Sequence, residues 1–216
     1  MKFCDQSIKQ FLNELGSDLS APGGGSVAGL IAALSGALNS MVYSLTVGKK
    51  NYVKLQDSEK EIIDKFEKES KEFTLRSLEL MEEDRKSFLK LMDSYKLPKD
   101  IEEDKEKRTL AIKENTIKSM EVPLILARQS LEFYENLKVM AKYGNKMLLS
   151  DLAISAILLH SAIESSIVNV KVNLNGLRSE DFFNKVDNEL RDIMEKSIKE
   201  KNSITEDVNS VIYPNS

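Results

Sequence analysis

The chain has 216 residues, a formal net charge of −4 from 31 Lys and Arg against 35 Asp and Glu, and a hydrophobic content of 41%. This is the size of one domain, with enough apolar residues for a sizeable core. One cysteine (Cys4) and one histidine (His160) exclude an internal disulfide framework and a zinc site of the usual His/Cys type, so we expect no metal site. The lone cysteine fits the cytoplasm, and the slight acidity argues against nucleic acid as a partner.

The first predicted elements are a short helix and a long uncharged one. The short helix covers about Asp5–Leu15 and ends at Gly16, a residue that is typical of helix C-termini. After a loop, Gly23–Ser26 opens a helix that carries no charged residue and continues to about Val47. Gly48 is expected to end this second helix.

The uncharged stretch from Ala21 to Gly48 is long enough to span a bilayer. It is nevertheless rich in Gly, Ser, Ala and Asn, which favours a central helix buried against other helices. The N-terminus lacks a signal-peptide pattern. We therefore expect no membrane association.

Composition changes after this helix, since 35 of the 66 charged residues lie between positions 54 and 121. The pattern predicts two long solvated helices with a break at 97–100. Pro123 in the second of them predicts a kink, or a helix boundary just before it. The first keeps one apolar stripe, formed by Ile62, Phe66, Phe73, Leu80, Phe88 and Tyr95.

The C-terminal part is also helical. A turn at 144–145 precedes a second apolar helix, which reaches about Leu174 and is closed by Asn175–Gly176. A last amphipathic helix covers about Ser179–Asp207, and the tail over 208–216 is expected to fray.

No convincing strand pattern or long linker is present, so the sequence predicts one all-α domain over residues 1–216. We expect a helical bundle with two central apolar helices and long charged outer helices. Two helices with so little charge need more cover than a monomer provides. We therefore predict a homodimer.

The glycine run is the first candidate for chemistry. Gly23, Gly24, Gly25 and Ser26 directly before a long helix place backbone N–H groups at its positive end, which is an anion-binding geometry. A Walker A loop is excluded, because Gly-Lys-[Ser/Thr] does not follow at the required spacing. The alternative is a flexible turn in which Ser26 caps the helix.

Asp84 lies on the helix face that otherwise buries Phe73, Leu80 and Phe88. Burial would raise the pKa of this carboxyl and make it a candidate general acid or base near neutral pH. The alternatives are a buried aspartate with a structural partner, and a local helix rotation that turns the carboxylate to solvent.

The second apolar helix carries further polar candidates. Asp151 and Asn169 lie about 27 Å apart along this helix at 1.5 Å per residue, so they cannot contact one small reacting centre within a single helix. Asn169 and Asn173 are spaced i,i+4 and can act together. His160 lies among leucines and is better explained as a satisfied core or interface histidine.

Several of these segments form a collinear set between about residue 20 and residue 175. The set comprises Ser20–Ser26, Met41–Val42, Thr46–Tyr52, Glu83–Asp84 with Phe88, Lys96–Lys99, Val122–Leu124, Gly144–Asn145, Ser150–Leu152 and Asn169–Val170 with Asn173. Together they resemble the cyclodeaminase/cyclohydrolase family. This family includes the C-terminal domain of formiminotransferase-cyclodeaminase and stand-alone methenyltetrahydrofolate cyclohydrolases.

The resemblance implies an all-helical, dimeric, cytoplasmic folate enzyme that needs no metal and no permanently bound cofactor. It implies an acid/base aspartate at Asp84. The family's glycine loop maps onto Gly23–Ser26, its Gly-Lys-Lys segment onto Gly48–Lys50, and its Ser-Asp-Leu segment onto Ser150–Leu152. The chain departs from the pattern at Glu82–Glu83, where relatives carry smaller residues.

On this resemblance we expect a methenyltetrahydrofolate cyclohydrolase that forms 10-formyltetrahydrofolate, because the chain shows no transferase part. A formimidoyltetrahydrofolate cyclodeaminase and a non-enzymatic helical interaction protein are the alternatives. The expected catalytic residues are Asp84 and Lys49, in a site that two subunits could share. The expected substrate-binding residues are Gly23, Gly24, Gly25, Ser26, Lys50, Asn145, Asp151, Asn169 and Asn173.

Overall fold

The computed structural model describes residues 2–214, and no strand forms within this range. Seven α-helices account for most of it: α1 (Ile8–Leu15), α2 (Gly24–Ser44), α3 (Lys50–Val53), α4 (Asp57–Tyr95), α5 (Glu102–Tyr143), α6 (Leu149–Leu174) and α7 (Phe183–Ile212). The all-α prediction is confirmed.

Four long helices form the bundle that positions the site. Helices α2 and α5 each pack against both α4 and α6, and α7 covers α6 and α5 from outside. The α2–α4 pair is antiparallel, since Gly25 lies against Asp84 at one end and Ser40 contacts Ser70 at the other. Helix α6 is antiparallel to α2, so each end of α2 meets the opposite end of both neighbours.

Helix α2 carries glycines on the face that packs against α4. A Cβ added to Gly29 would lie 2.9 Å from the Met81 Cβ atom, and one added to Gly36 would lie 2.5 Å from the Thr74 Oγ1 atom. Both neighbours belong to α4. The small residues therefore allow the α2 and α4 backbones to approach closely.

Polar side chains within the apolar helices are paired across the bundle. The Ser35 hydroxyl of α2 lies 3.0 Å from that of Ser155 on α6. The Asn39 amide donates to the Asn136 side-chain oxygen on α5 at 2.6 Å. All four residues are buried. These hydrogen bonds pair the two hydroxyls, and the Asn39 amide N–H with the Asn136 side-chain oxygen, groups that would otherwise be costly to bury.

By length and composition alone, α2 and the segment 146–177 could each cross a membrane. Half of the most apolar part of α2 is buried inside the protein, and 39% of that of the second segment. The core helices of soluble proteins have the same properties, so the absence of membrane association stays a prediction.

The uncharged helix ends three residues before its predicted end. Helix α2 stops at Ser44, and Leu45–Gly48 forms a turn in which Gly48 has a φ of 72°. The Thr46 hydroxyl donates to the Val42 carbonyl and accepts from the Asn145 backbone N–H. This side chain therefore links the end of α2 to the turn before α6, which explains the early helix end.

Pro123 does not form a helix boundary. Helix α5 runs through it without interruption. A proline has no N–H, so the carbonyl of Ser119, four residues earlier, lacks its helical donor. The Asn173 amide of α6 donates to that carbonyl at 3.2 Å. A side chain of a neighbouring helix thus supplies the missing hydrogen bond.

The last helix begins and ends later in the chain than the sequence predicts. It begins at Phe183 and continues to Ile212, so the fraying predicted over 208–216 is wrong for residues 208–212; residues 215–216 lie outside the described part of the chain. Val208 is 2% exposed and belongs to the main core, which keeps the C-terminal turns of α7 helical.

The apolar stripe of α4 also differs from the predicted one at its N-terminal end. Ile63 is fully buried, whereas Ile62 is 43% exposed. The core-facing side of the helix is therefore rotated by one residue there.

Candidate active site

A cavity of about 720 Å³ lies at the N-terminal end of α2. Its walls come from α2, α4, α5 and α6 and from the turns before α7. Helix α4 contributes residues from successive turns of one face, which are Asp84, Phe88, Leu91, Met92 and Tyr95. The cavity is therefore long and lined on this side by a carboxylate followed by apolar and aromatic groups.

The Asp84 side chain lies at the α2 end of this cavity. Burial raises the pKa of its carboxyl from 3.8 to about 6. No hydrogen bond or ion pair to this carboxyl occurs among residues 2–214 to oppose the shift. The group therefore changes protonation near neutral pH, as a general acid or base requires.

The glycine run leaves room for this carboxylate. A Cβ added to Gly25 would lie 2.3 Å from both Asp84 carboxylate oxygens, whereas one added to Gly23 would meet nothing within 4 Å. A Cβ added to Gly24 would lie 3.7 Å from the Asn169 side-chain oxygen, which is ordinary van der Waals contact. The group that faces the start of α2 is thus the protein's own carboxylate.

The acidic residues beside Asp84 are held outside the cavity. Glu82 is buried, accepts a hydrogen bond from the Phe3 backbone N–H and lies 3.6 Å from Arg85. Glu83 forms an ion pair with Arg76 at 2.6 Å. Neither glutamate lines the cavity. The departure from the family pattern at these positions therefore adds no carboxylate to the site.

Asn169, Asn173 and Ser119 form the facing wall. The Asn173 amide donates to the Ser119 and Asn169 carbonyls, both at 3.2 Å, and the Asn169 amide donates to the Ser165 carbonyl at 2.9 Å. The Ser119 hydroxyl is buried without a hydrogen-bond partner among the described residues. This wall offers a ligand the side-chain oxygens of Asn169 and Asn173, with the buried Ser119 hydroxyl behind them.

Four predicted site residues lie elsewhere in the protomer. Lys49, Lys50, Asn145 and Asp151 are absent from the cavity lining. The two lysines follow the C-terminal end of α2, whose 21 residues span about 30 Å. The Asn145 side chain accepts from the Met147 N–H and caps a short 3₁₀ turn. Within one protomer these four residues therefore lie away from Asp84, and their roles stay predictions.

His160 is a paired histidine, as the sequence favours. Its Nδ1 atom lies 2.8 Å from the Ser197 hydroxyl of α7. Burial lowers its pKa. It joins α6 to α7 and does not line the cavity.

The cavity is also lined by residues that the sequence patterns did not indicate. Ser119 carried a signal, because it lies four residues before Pro123. Lys113 and Glu180 carried none, since they form an ion pair between distant segments. The missed lining residues with polar or charged groups include Arg85, Thr109, Lys113, Thr116, Ser119, Ser179 and Glu180. Among residues 2–214, no cluster of three or more His, Cys, Asp or Glu side chains could hold a metal ion.

The contact between Gly25 and Asp84 gives a first prediction. In Gly25→Ala the added methyl group displaces the Asp84 carboxyl towards solvent, because the two cannot share the same space. The pKa of Asp84 should then fall from about 6 towards 3.8. A ¹³C NMR titration of the aspartate carboxyl carbons measures this change. Gly23→Ala is the matched control and should leave the pKa unchanged. An unchanged pKa in Gly25→Ala would contradict the contact.

The sequence was also compared with known proteins. A sequence model of the formiminotransferase-cyclodeaminase family matches residues 7–192. The formimidoyltransferase-cyclodeaminase of Rattus norvegicus is 32% identical over 193 residues, which cover 89% of this chain and 35% of that protein. The chain thus spans about a third of that relative.

A methenyltetrahydrofolate cyclohydrolase of Methylorubrum extorquens is 32% identical over 173 residues, which cover 80% of this chain and 81% of that protein. The fold is similar to the crystal structure of a formiminotetrahydrofolate cyclodeaminase from Thermotoga maritima. The TM-score is 0.77 over 97% of both chains, at 24% identity. Because the family match covers most of the sequence, the chain belongs to the formiminotransferase-cyclodeaminase family.

Proposed function

We propose that this protein is a methenyltetrahydrofolate cyclohydrolase, which hydrolyses 5,10-methenyltetrahydrofolate to 10-formyltetrahydrofolate. The observation that carries the proposal is the half-buried Asp84 carboxyl at one end of a long cavity, with a pKa of about 6. The Methylorubrum cyclohydrolase supports it, since the similarity extends over 81% of that enzyme.

The chemistry needs one group that moves protons. The substrate carbon lies between N5 and N10 in a cationic amidinium and is already electrophilic. The Asp84 carboxylate takes a proton from the attacking water, and a tetrahedral carbon forms. As the bond from this carbon to N5 breaks, Asp84 returns the proton to N5. The added hydroxyl releases its proton to solvent water and becomes the formyl oxygen, so the cationic substrate gives a neutral product and one free proton. General acid/base catalysis of this kind contributes about 10²–10⁴-fold.

The walls of the cavity suit the rest of a reduced folate. The side-chain oxygens of Asn169 and Asn173 can accept hydrogen bonds from the polar edge of the pterin. Phe88 and Tyr95 follow Asp84 along α4 and offer ring surfaces to the aminobenzoyl group. The substrate would then lie along the cavity with its reacting carbon beside Asp84.

A cyclodeaminase is the second candidate, favoured by the similarity to the rat formimidoyltransferase-cyclodeaminase. This reaction closes 5-formiminotetrahydrofolate to the methenyl compound and releases ammonia. It passes through a tetrahedral carbon at the same place, so Asp84 could serve both reactions.

Two assays on the purified protein distinguish these activities. Hydrolysis of 5,10-methenyltetrahydrofolate is followed by loss of its absorbance, and cyclisation of 5-formiminotetrahydrofolate by its appearance. We expect turnover of the methenyl compound above the spontaneous rate, and faster turnover than of the formimino compound. The reverse order would assign the protein as a cyclodeaminase, and no enzymatic turnover of either would reject both.

The variant Asp84→Asn tests the acid/base role. An amide cannot accept the proton from water, so we expect kcat to fall by about 10²–10⁴-fold. In the wild type, kcat/KM should rise with pH through the pKa of Asp84, about 6. Glu83→Gln is the matched control, because Glu83 faces Arg76 outside the cavity. Near-wild-type turnover of Asp84→Asn would remove Asp84 from the mechanism.

Stability shows whether Asp84→Asn still folds. The folded state holds the Asp84 proton more tightly than the unfolded state, since burial raises the pKa from 3.8 to about 6. The wild type therefore loses stability as the pH rises from about 4 through about 6. Denaturant unfolding near pH 8 should show Asp84→Asn more stable than the wild type by about 1–3 kcal/mol, with little difference near pH 3.5.

We also propose a cytoplasmic homodimer, with the cytoplasm inferred from the lone cysteine. One side of α2, of the turn after it and of α6 forms an apolar face that residues 2–214 leave uncovered, in which Leu34, Met41, Leu45, Ile154, Ile157, Val168 and Val172 are 36–71% exposed. A second copy would bury it, as symmetric dimers bury matching patches.

Val172 belongs to this face and also lines the cavity. The second copy would therefore sit beside the cavity. With its α2 in the opposite direction, it would bring its Lys49–Lys50 end towards the site. This arrangement is our proposal for how residues from both ends of the protomer serve one reaction.

Sedimentation of an Ile157→Glu variant tests the dimer. We expect the wild type to sediment as a dimer and this variant as a helical monomer, because each interface would bury two unpaired charges. Leu75→Glu is the control, since Leu75 is 63% exposed on α4 and is not part of this face. A monomeric wild type, or a dimeric Ile157→Glu, would overturn the proposal.

A further inference from the structure

The end of the cavity away from Asp84 carries an ion pair that nothing above uses. The Lys113 ammonium of α5 lies 2.7 Å from the Glu180 carboxylate, in the segment before α7. Both residues line the cavity. Their side chains are 47% and 22% exposed, so the pair lies at the rim, where the cavity meets solvent.

Helix packing places this pair far from the reacting end. Helices α4 and α5 are antiparallel, and the Asn115 amide donates to the Ser94 hydroxyl at 2.7 Å. Lys113 therefore lies beside the C-terminal end of α4. Ser94 is ten residues beyond Asp84, about 15 Å along the α4 axis, so Lys113 lies towards the opposite end of the cavity from the carboxylate.

The cavity has a second cation at its other end. Arg85 lies next to Asp84 in sequence, its guanidinium stacks over the Phe3 ring at 4.6 Å, and Glu82 is 3.6 Å away. Among the described residues that line the cavity, the basic ones are Arg85 and Lys113. Lys113 is thus the cation at the outer end.

We propose that Lys113 binds the glutamate-tail carboxylates of the substrate. This inference rests on the proposed function, because a methenyl folate is cationic at its reacting carbon and anionic at its tail. The cavity has the complementary order, with the Asp84 carboxylate at one end and the Lys113 ammonium at the other. An ammonium has three donors, so Lys113 can keep Glu180 and still donate to the tail.

Glu180 has a positioning role in this arrangement. It fixes the Lys113 side chain at the rim, so that less side-chain entropy is lost when the tail binds. It carries a negative charge close to the tail, which limits the affinity of the site. The lysine thereby selects tailed substrates without touching the reacting atoms.

The test compares two substrates that differ only in the tail, 5,10-methenyltetrahydrofolate and 5,10-methenyltetrahydropteroate, which lacks the glutamate. In Lys113→Gln we expect KM for the folate to rise about tenfold, with kcat within about twofold, because a charge-assisted hydrogen bond is lost. KM for the pteroate should not change. Lys113→Arg should keep most of the affinity for the folate, and Glu180→Gln should alter KM for the folate alone.

Lys118→Gln is the matched control, since Lys118 is exposed on the same helix and does not line the cavity. An unchanged KM for the folate in Lys113→Gln overturns the inference, and so does an equal rise for both substrates, which would indicate a general disturbance of the cavity. Wild-type turnover of both substrates in that experiment leaves the proposed function intact. A wild type that turns over neither rejects the proposed function, and the inference with it.

Discussion

The site depends on the close contact between Gly25 of α2 and the Asp84 carboxylate of α4. A methyl group at position 25 would overlap both carboxylate oxygens, so this turn of α2 must be bare. Gly29 and Gly36 continue the same close approach along α4. The glycines therefore set the distance between α2 and α4. The close packing keeps Asp84 out of bulk solvent, which raises the pKa of its carboxyl.

A second constraint stabilises the cavity wall that faces Asp84, which is formed by Asn169, Asn173 and Ser119. Pro123 leaves the Ser119 carbonyl without its helical donor, and Asn173 supplies one from α6. Both amide hydrogens of Asn173 are used within the protein, on the Ser119 and Asn169 carbonyls. What Asn173 can offer a ligand is its side-chain oxygen. Two sequence segments fifty residues apart, around Pro123 and Asn173, thus form one structural unit beside Ser119.

Patterns along single helices predicted much of the fold and part of the site. The stripe on α4 identified Asp84, and the i,i+4 spacing identified Asn169 and Asn173, which line the same cavity. Patterns within a single helix do not show which helix ends lie next to each other in the fold. Because α2 and α6 are antiparallel, Lys49 and Asp151 lie at the end of the bundle opposite Asp84. Both nevertheless belong to segments that, like Glu83–Asp84, resemble the cyclodeaminase/cyclohydrolase family. Lys113 and Glu180 are joined only by tertiary packing.

The acidic residues around Asp84 indicate why its environment is better explained by function than by stability. Glu83 is paired with Arg76, and Glu82 with the Phe3 N–H and Arg85. A carboxylate that served only the fold would have such partners, because an unpaired buried charge destabilises the native state. Asp84 has none among residues 2–214, and burial raises its pKa to about 6. The same burial places the titration of Asp84 where a proton can be taken up and returned within one reaction cycle.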